Sequence, residues 1–208
     1  MMALVIRDNP VNFLTAQTAE GQKKAGYFDL NGDKFVTVTD ELMARNILTL
    51  EPAKFTVALD KLMKAVREKA DNRFDLNGDG SVKWDEYLTI RAALTEGRNV
   101  PLSSSEIRWM MELVIRDNAV NFLTAQTPEG QRKIGYFDLN GDGFVTVSDE
   151  LMVRNIAGSS SEVFDAVIAK LMRAVLEGAD QRLDINGDVN FDQMDVNLLF
   201  AALSDGRS

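Results

Sequence analysis

The chain has 208 residues, 45% of them hydrophobic, and a formal net charge of −9, enough for one or two domains with cores of their own. It contains no Cys and no His, which excludes disulfides, thiolate metal sites, and imidazole as zinc ligand or general base. Its acidity disfavours nucleic acid and anionic membranes, and no run approaches the ~18 apolar residues of a membrane span.

The charge is uneven: residues 1–104 carry 14 Lys and Arg against 15 Asp and Glu, and residues 105–208 carry 9 against 17. The chain also repeats itself. Residues 3–47 align without a gap on 112–156, with 37 of 45 positions identical, and the same offset of 109 pairs Asp75 with Asp184 and Gly97 with Gly206. An internal repeat sets the architecture before anything else. Here it predicts an all-α fold of two similar lobes, residues 1–101 and 102–208. The opening MMALVIRDNPVNF has no basic n-region and no cleavage site, so no signal peptide is expected. The second copy begins on SSSE, which the first has no room for, and stops at SDGRS where the first continues TEGRNVPLSSS. This pattern predicts a two-repeat piece of a longer array.

In chain order, the first acidic stretch is DLNGDKFVTVTD from Asp29. The stripe Leu59, Leu62, Met63 and Val66 predicts a helix ahead of the second, DLNGDGSVKWDE from Asp75. SSSEIRWMMELVIRDN predicts a helix with Ser103 as N-cap and Glu106 at N3, a capping box. Thr127-Pro128 marks another start, with Pro at N1, for a helix running to Phe137. DLNGDGFVTVSD from Asp138 comes next, then a helix after Asp149. Ser159 and Glu162 suggest a second capping box, and Val163, Val167, Leu171 and Val175 recur as one helical face. DINGDVNFDQMD from Asp184 precedes a last helix after Asp195, with Val196, Leu199 and Phe200 on one side. A helix is expected to enter every acidic stretch.

The four stretches carry oxygen side chains at positions 1, 3 and 5 and an acid at position 12: Asp29, Asn31, Asp33 and Asp40; Asp75, Asn77, Asp79 and Glu86; Asp138, Asn140, Asp142 and Asp149; Asp184, Asn186, Asp188 and Asp195. They resemble EF-hand calcium loops, D-x-[DN]-x-[DN]-G with a carboxylate at position 12. Ca²⁺ takes 6–8 oxygens at roughly 2.3–2.6 Å, and alternate residues of a tight loop converge on one point. The resemblance implies that position 7 adds a backbone carbonyl, from Phe35, Ser81, Phe144 and Asn190. It also implies paired loops, with Val36 facing Val82 and Val145 facing Phe191, so that each lobe is one EF-hand pair.

The loops depart from the pattern in ways that predict unequal sites. The loop from Asp75 has Gly80 at position 6 and Glu86 at position 12, and is expected to bind Ca²⁺ tightest. The other three have Asp at position 12, one methylene shorter, which favours Mg²⁺ relative to Ca²⁺. Glu41 and Glu150 at position 13 are the alternative ligands in two of them. Position 6 requires φ > 0, which suits Gly143 and not Lys34 or Val189. Asp at position 12 is also a dockerin feature, although dockerins are shorter and usually lack the entering helix.

The expected function is calcium binding, as sensor or buffer. The alternative is a structural or secreted repeat module stiffened by calcium or mediating dockerin-like protein contacts. A sensor would expose a Met-rich groove to a protein or peptide target, and the chain has nine Met. A full-length chain would suit the cytoplasm; a piece of a secreted array would suit millimolar extracellular calcium. No enzyme is expected. Asp8 and Asp117, in the repeated LVIRDN, read better as a solvated helix face than as catalytic acids.

Overall fold

Regularly spaced apolar residues and well-placed caps make this chain helical, and ten α-helices account for its regular structure in a computed structural model that describes residues 1–207. By contacts the chain divides into two units, Met1–Val100 and Pro101–Ser208. The first contains α1 (Met2–Asp8), α2 (Ala19–Phe28), α3 (Val38–Arg45), α4 (Pro52–Arg67) and α5 (Trp84–Leu94). The second contains α6 (Ser104–Asp117), α7 (Pro128–Phe137), α8 (Val147–Arg154), α9 (Ser161–Leu176) and α10 (Gln193–Ser204).

In the first unit α1 packs on α3, and α4 packs on α2 and α5. Helix α4 begins with Pro52 at N1, where its missing N–H costs nothing. Leu59, Leu62, Met63 and Val66 are all buried on its inner face, with Phe28, Phe74 and Tyr87 around them. Each fully buried large apolar side chain contributes about 1.5–3 kcal/mol. In the second unit α6 packs on α8, α9 packs on α7 and α10, and α6 also meets α10. Val167, Leu171 and Val175 are buried as expected. Met63, Met110 and Met111 are core residues too.

Several expectations are corrected. The cap of α9 is Ser160, not Ser159, and no capping box forms. The Ser159 hydroxyl instead donates to the Ile156 carbonyl at 2.8 Å, closing the preceding turn, so the next serine takes the cap. With α9 starting there, Val163 is 40% exposed, and Phe164 takes the inward position. Phe200 is half-exposed, its ring set edge-on to that of Phe164 with 6.2 Å between centroids. The capping boxes of Ser103 with Glu106, and the Thr127 cap of α7, form as expected.

The expected loop pairing does not form. Val36 bridges Val11, not Val82, and Val145 bridges Val120, not Phe191. Val11 and Val36 exchange both N–H···O bonds at 3.1 and 3.0 Å, as do Val120 and Val145 at 2.9 and 3.0 Å. The segment after α1 is pinned alongside by its own turn. Asn12 Oδ1 accepts from the N–H groups of Leu14 and Thr15, and Thr18 then caps α2. It therefore offers its backbone first to the loop nearest in sequence.

Nor does a helix run directly into every acidic loop. Those at 29 and 138 follow α2 and α7 without a break. Those at 75 and 184 are entered from single 3-10 turns, Asn72–Phe74 and Gln181–Leu183. The long helices stop earlier because Lys69 (φ 48°) and Gly178 (φ 57°) are left-handed, the usual way a helix ends. Asp71 and Asp180 then cap the new turns.

Candidate metal centre

In each acidic loop the first carboxylate organises the turn. Asp29 Oδ1 accepts from Gly32 and Asp33 N–H at 2.6 and 3.2 Å, and its Oδ2 from Lys34 N–H at 3.1 Å. Asp75 receives Gly78, Asp79 and Gly80. Asp138 receives Gly141 and Gly143. Asp184 receives Gly187, Asp188 and Val189. Position 3 accepts from position 5, as Asn31, Asn77, Asn140 and Asn186 each do at 2.8–2.9 Å. Position 5 accepts from position 7: Asp33 from Phe35, Asp79 from Ser81, Asp142 from Phe144 and Asp188 from Asn190.

The acid at position 12 closes each loop from the exiting helix. Asp40 Oδ1 accepts from Leu30 and Asn31 N–H at 2.7 and 3.2 Å, and Oδ2 from Thr37 N–H at 2.8 Å. Asp149 repeats this with Leu139, Asn140 and Thr146. Asp195 does so with Ile185, Asn186 and Asp192, and Glu86 with Leu76, Asn77 and Lys83. Asp and Glu thus reach the same groups. Because this acid sits at N3 of its helix, the helix begins before it, at Val38, Trp84, Val147 and Gln193. The acid is therefore also a helix cap. The position-13 acids turn elsewhere, Glu41 to Arg45 and Glu150 to Arg116 and Arg154.

Position 6 is left-handed in all four loops: Lys34 φ 74°, Gly80 97°, Gly143 85° and Val189 73°. The loop from Asp184 therefore follows the same path as the others despite its β-branched residue. Position 4, a glycine in every loop, is left-handed too, at 75–83°, a requirement the repeated Asn-Gly already signals.

Lysines attend these oxygens. Lys61 and Lys170 Nζ donate to the backbone carbonyls of Asp29 and Asp138. Lys69 Nζ donates to the Gly80 carbonyl and lies 3.5 Å from Asp75 Oδ2. Lys83 pairs with Asp79. The Asp75 carboxyl is held below its usual range: partial desolvation opposes this, but the N–H groups of Gly80 and Gly78 and the Lys69 charge outweigh it. Asp79 is held lower still, chiefly by Lys83.

The acidic side chains do not converge on a ready-made cage: among the described residues no group of three or more stands close enough together to hold a metal ion. Their chemistry nevertheless fits a hard cation. At positions 1 and 12 one oxygen of nearly every carboxylate already accepts two N–H groups, while the other takes a single backbone N–H, leaving it acceptor capacity, and the sets are all oxygen, with no soft ligand.

Asp8 and Asp117 belong to a different construction. Arg73 forks onto Asp71 at 2.8 Å and reaches Asp8 at 2.8 Å, while Asn9 also bonds Asp71. Arg182, Asp180, Asp117 and Asn118 repeat this set. The two sets tie the end of α1 or α6 to the turn entering the loop at 75 or 184. The sequence reading missed them, although Asp-x-Arg ahead of each loop and Asp-Asn after each LVIR recur at the same offset. No family model, no curated protein and no solved structure matches the chain.

Proposed function

We propose that the chain is a calcium-binding protein of EF-hand type, with the oxygens of loops 29–40, 75–86, 138–149 and 184–195 as ligands. The observation that carries this reading is the left-handed backbone at Lys34 and Val189, matching Gly143 and Gly80. A non-glycine residue held there costs about 1–2 kcal/mol, and strain that persists in a loop is a mark of function. The carboxylate and N–H network imposes one path on all four loops, with glycine at position 6 or without it, and that path sets oxygens at alternate positions. Positions 1, 3, 5 and 12 would hold the ion, Mg²⁺ being better matched to the loops closed by Asp. The chain's own part is to hold those oxygens on two short elements and to cap the exiting helix meanwhile.

A second reading, of a repeat module that docks on a protein, is favoured by one feature. Phe13 and Leu14 are 71% and 77% exposed, and their copies Phe122 and Leu123 are 71% and 78% exposed. Calcium would then fix the modules rather than open them.

Titration calorimetry with CaCl₂ and MgCl₂ on the whole chain tests the first reading. Position 5 is the informative site, because position 12 doubles as a cap. Asp142→Ala and Asp188→Ala should each remove one binding event and leave the helical content unchanged. Absence of heat and of any NMR shift at millimolar calcium would overturn the proposal. Calcium-dependent binding of a hydrophobic dye would mark a sensor; its absence, a buffer or structural role.

A further inference from the structure

The loops at 75–86 and 184–195 occupy the same place in the two units but differ in what surrounds them. Ahead of the first, the left-handed residue that ends α4 is Lys69; ahead of the second it is Gly178. The Phe191 ring covers Gly178 so closely that an added Cβ would lie 3.0 Å from it. Val82 stands where Phe191 does, and Lys69 folds back towards the loop. Its ammonium reaches the Gly80 carbonyl and Asp75 Oδ2. At position 9, Lys83 in the first loop contacts Asp79, where the second loop has Asp192. Two lysines, Lys83 within it and Lys69 ahead of it, therefore attend the four acids of loop 75–86, whereas loop 184–195 has four aspartates and neither lysine.

We propose that Lys69 is a tethered competitor for calcium at loop 75–86, which then loads after loop 184–195 although its residues match the calcium pattern best. The proposal rests on the calcium reading above. A lysine kept in the left-handed region where its copy is glycine is not explained by helix termination alone, since glycine ends the helix without strain. What Lys69 adds is a charge against the position-1 carboxylate. A divalent ion entering that loop must displace the ammonium or bind beside it, and either weakens binding.

The test uses the whole chain and CaCl₂. Two-dimensional NMR resolves the Trp84 indole N–H, at the start of the helix leaving loop 75–86, from that of Trp109. Lys69→Asn, neutral and tolerant of the left-handed region, should lower the calcium midpoint read at Trp84 about tenfold. Lys69→Arg should leave it within about twofold, since it keeps the charge. Without calcium, Lys69→Asn should lower the melting temperature of the first unit; with saturating calcium it should raise it. A purely structural lysine would lower both. An unchanged Trp84 midpoint in Lys69→Asn, or equal shifts in Lys69→Asn and Lys69→Arg, overturns the proposal while the other loops still bind. No calcium response at any loop overturns the calcium reading and this inference together.

Discussion

Loops 29–40 and 138–149 differ at position 6, Lys34 in one and Gly143 in the other, yet their turns are nearly superimposable in φ, 74° against 85°. The N–H of that residue donates to the first carboxylate at 3.1 Å in both. The difference teaches that the residue at position 6 does not choose the turn. The network of carboxylates and N–H groups chooses it, and the residue bears the strain. The units differ also around α3 and α8. Glu112 of α6 pairs with Arg154 at 2.6 Å, and Glu150 pairs with both Arg116 and Arg154. In the first unit Ala3 stands in place of Glu112, and Arg45 pairs only along its own helix, with Glu41. Arg7, the copy of Arg116, pairs with its neighbour Asp8, so the second unit holds two cross-helix ties, Glu112 with Arg154 and Arg116 with Glu150, that the first lacks.

The largest effects should come from the cores themselves and separate the two units most sharply. Leu62 and Leu171 are equivalent and fully buried. Leu62→Ala and Leu171→Ala should each destabilise their own unit by about 2–5 kcal/mol. Hydrogen exchange should show protection falling in residues 1–100 for the first and in 101–207 for the second. Loss spread evenly over both units in either variant would show that they do not unfold separately.

Close backbone approaches give the next test. Gly21 and Gly130 each face the carbonyl of a threonine, Thr15 or Thr124, with space for no Cβ: one added there would lie 1.9 Å from the oxygen. Gly21→Ala and Gly130→Ala should cost about 1–3 kcal/mol by displacing the turn that carries the exposed Phe-Leu pair. Equal losses in thermal melts are expected because the two sites match atom for atom.

How much of this was legible beforehand follows from range. Caps, apolar stripes and the loop residues are local signals, so Ser103 with Glu106, Thr127 with Pro128, and Leu59 to Val66 could be read directly. The partner of Val36 could not, because a single valine at position 8 says nothing about which extended segment lies beside it. Asn9-Pro10-Val11 became the partner through the fixed turn at Asn12. Nor was the double role of Asp40 and its copies visible, since a carboxylate at N3 satisfies a helix cap and a loop closure with the same atoms. Val189 is ill suited to position 6 by its intrinsic preference, yet six N–H bonds to Asp184 and Asp195 hold the loop on the common path.

Position 6 can be probed in both directions. Val189→Gly should stabilise the metal-free second unit by about 1 kcal/mol, and Lys34→Gly the first by somewhat less, because β-branching makes the left-handed region harder to reach. Gly143→Val should cost about 1–2 kcal/mol with no steric contribution, since an added Cβ there meets nothing within 4 Å. Chemical denaturation checks all three. No gain from Val189→Gly would mean that the loop relaxes at no cost.

The last comparison is electrostatic and sets the two arginine forks side by side. Arg73 is 36% exposed and Arg182 19%. Arg182→Gln should therefore cost about 2 kcal/mol and Arg73→Gln about 1 kcal/mol at neutral pH, the drier pair being less screened. The Arg73 guanidinium holds Asp71 down to about 2, from 3.8 for the free group. Asp180 is likewise depressed: burial opposes its ionisation, and the Arg182 fork outweighs burial. A carboxylate depressed in the folded state stabilises fully above its unfolded value and loses that stabilisation as pH falls through the folded one. Wild type and Arg73→Gln should therefore differ by a constant amount from neutral pH down to about 4, then converge towards pH 2 in urea denaturation series. A difference that persists undiminished at pH 2 would assign the role of Arg73 to packing of its stem rather than to its charge.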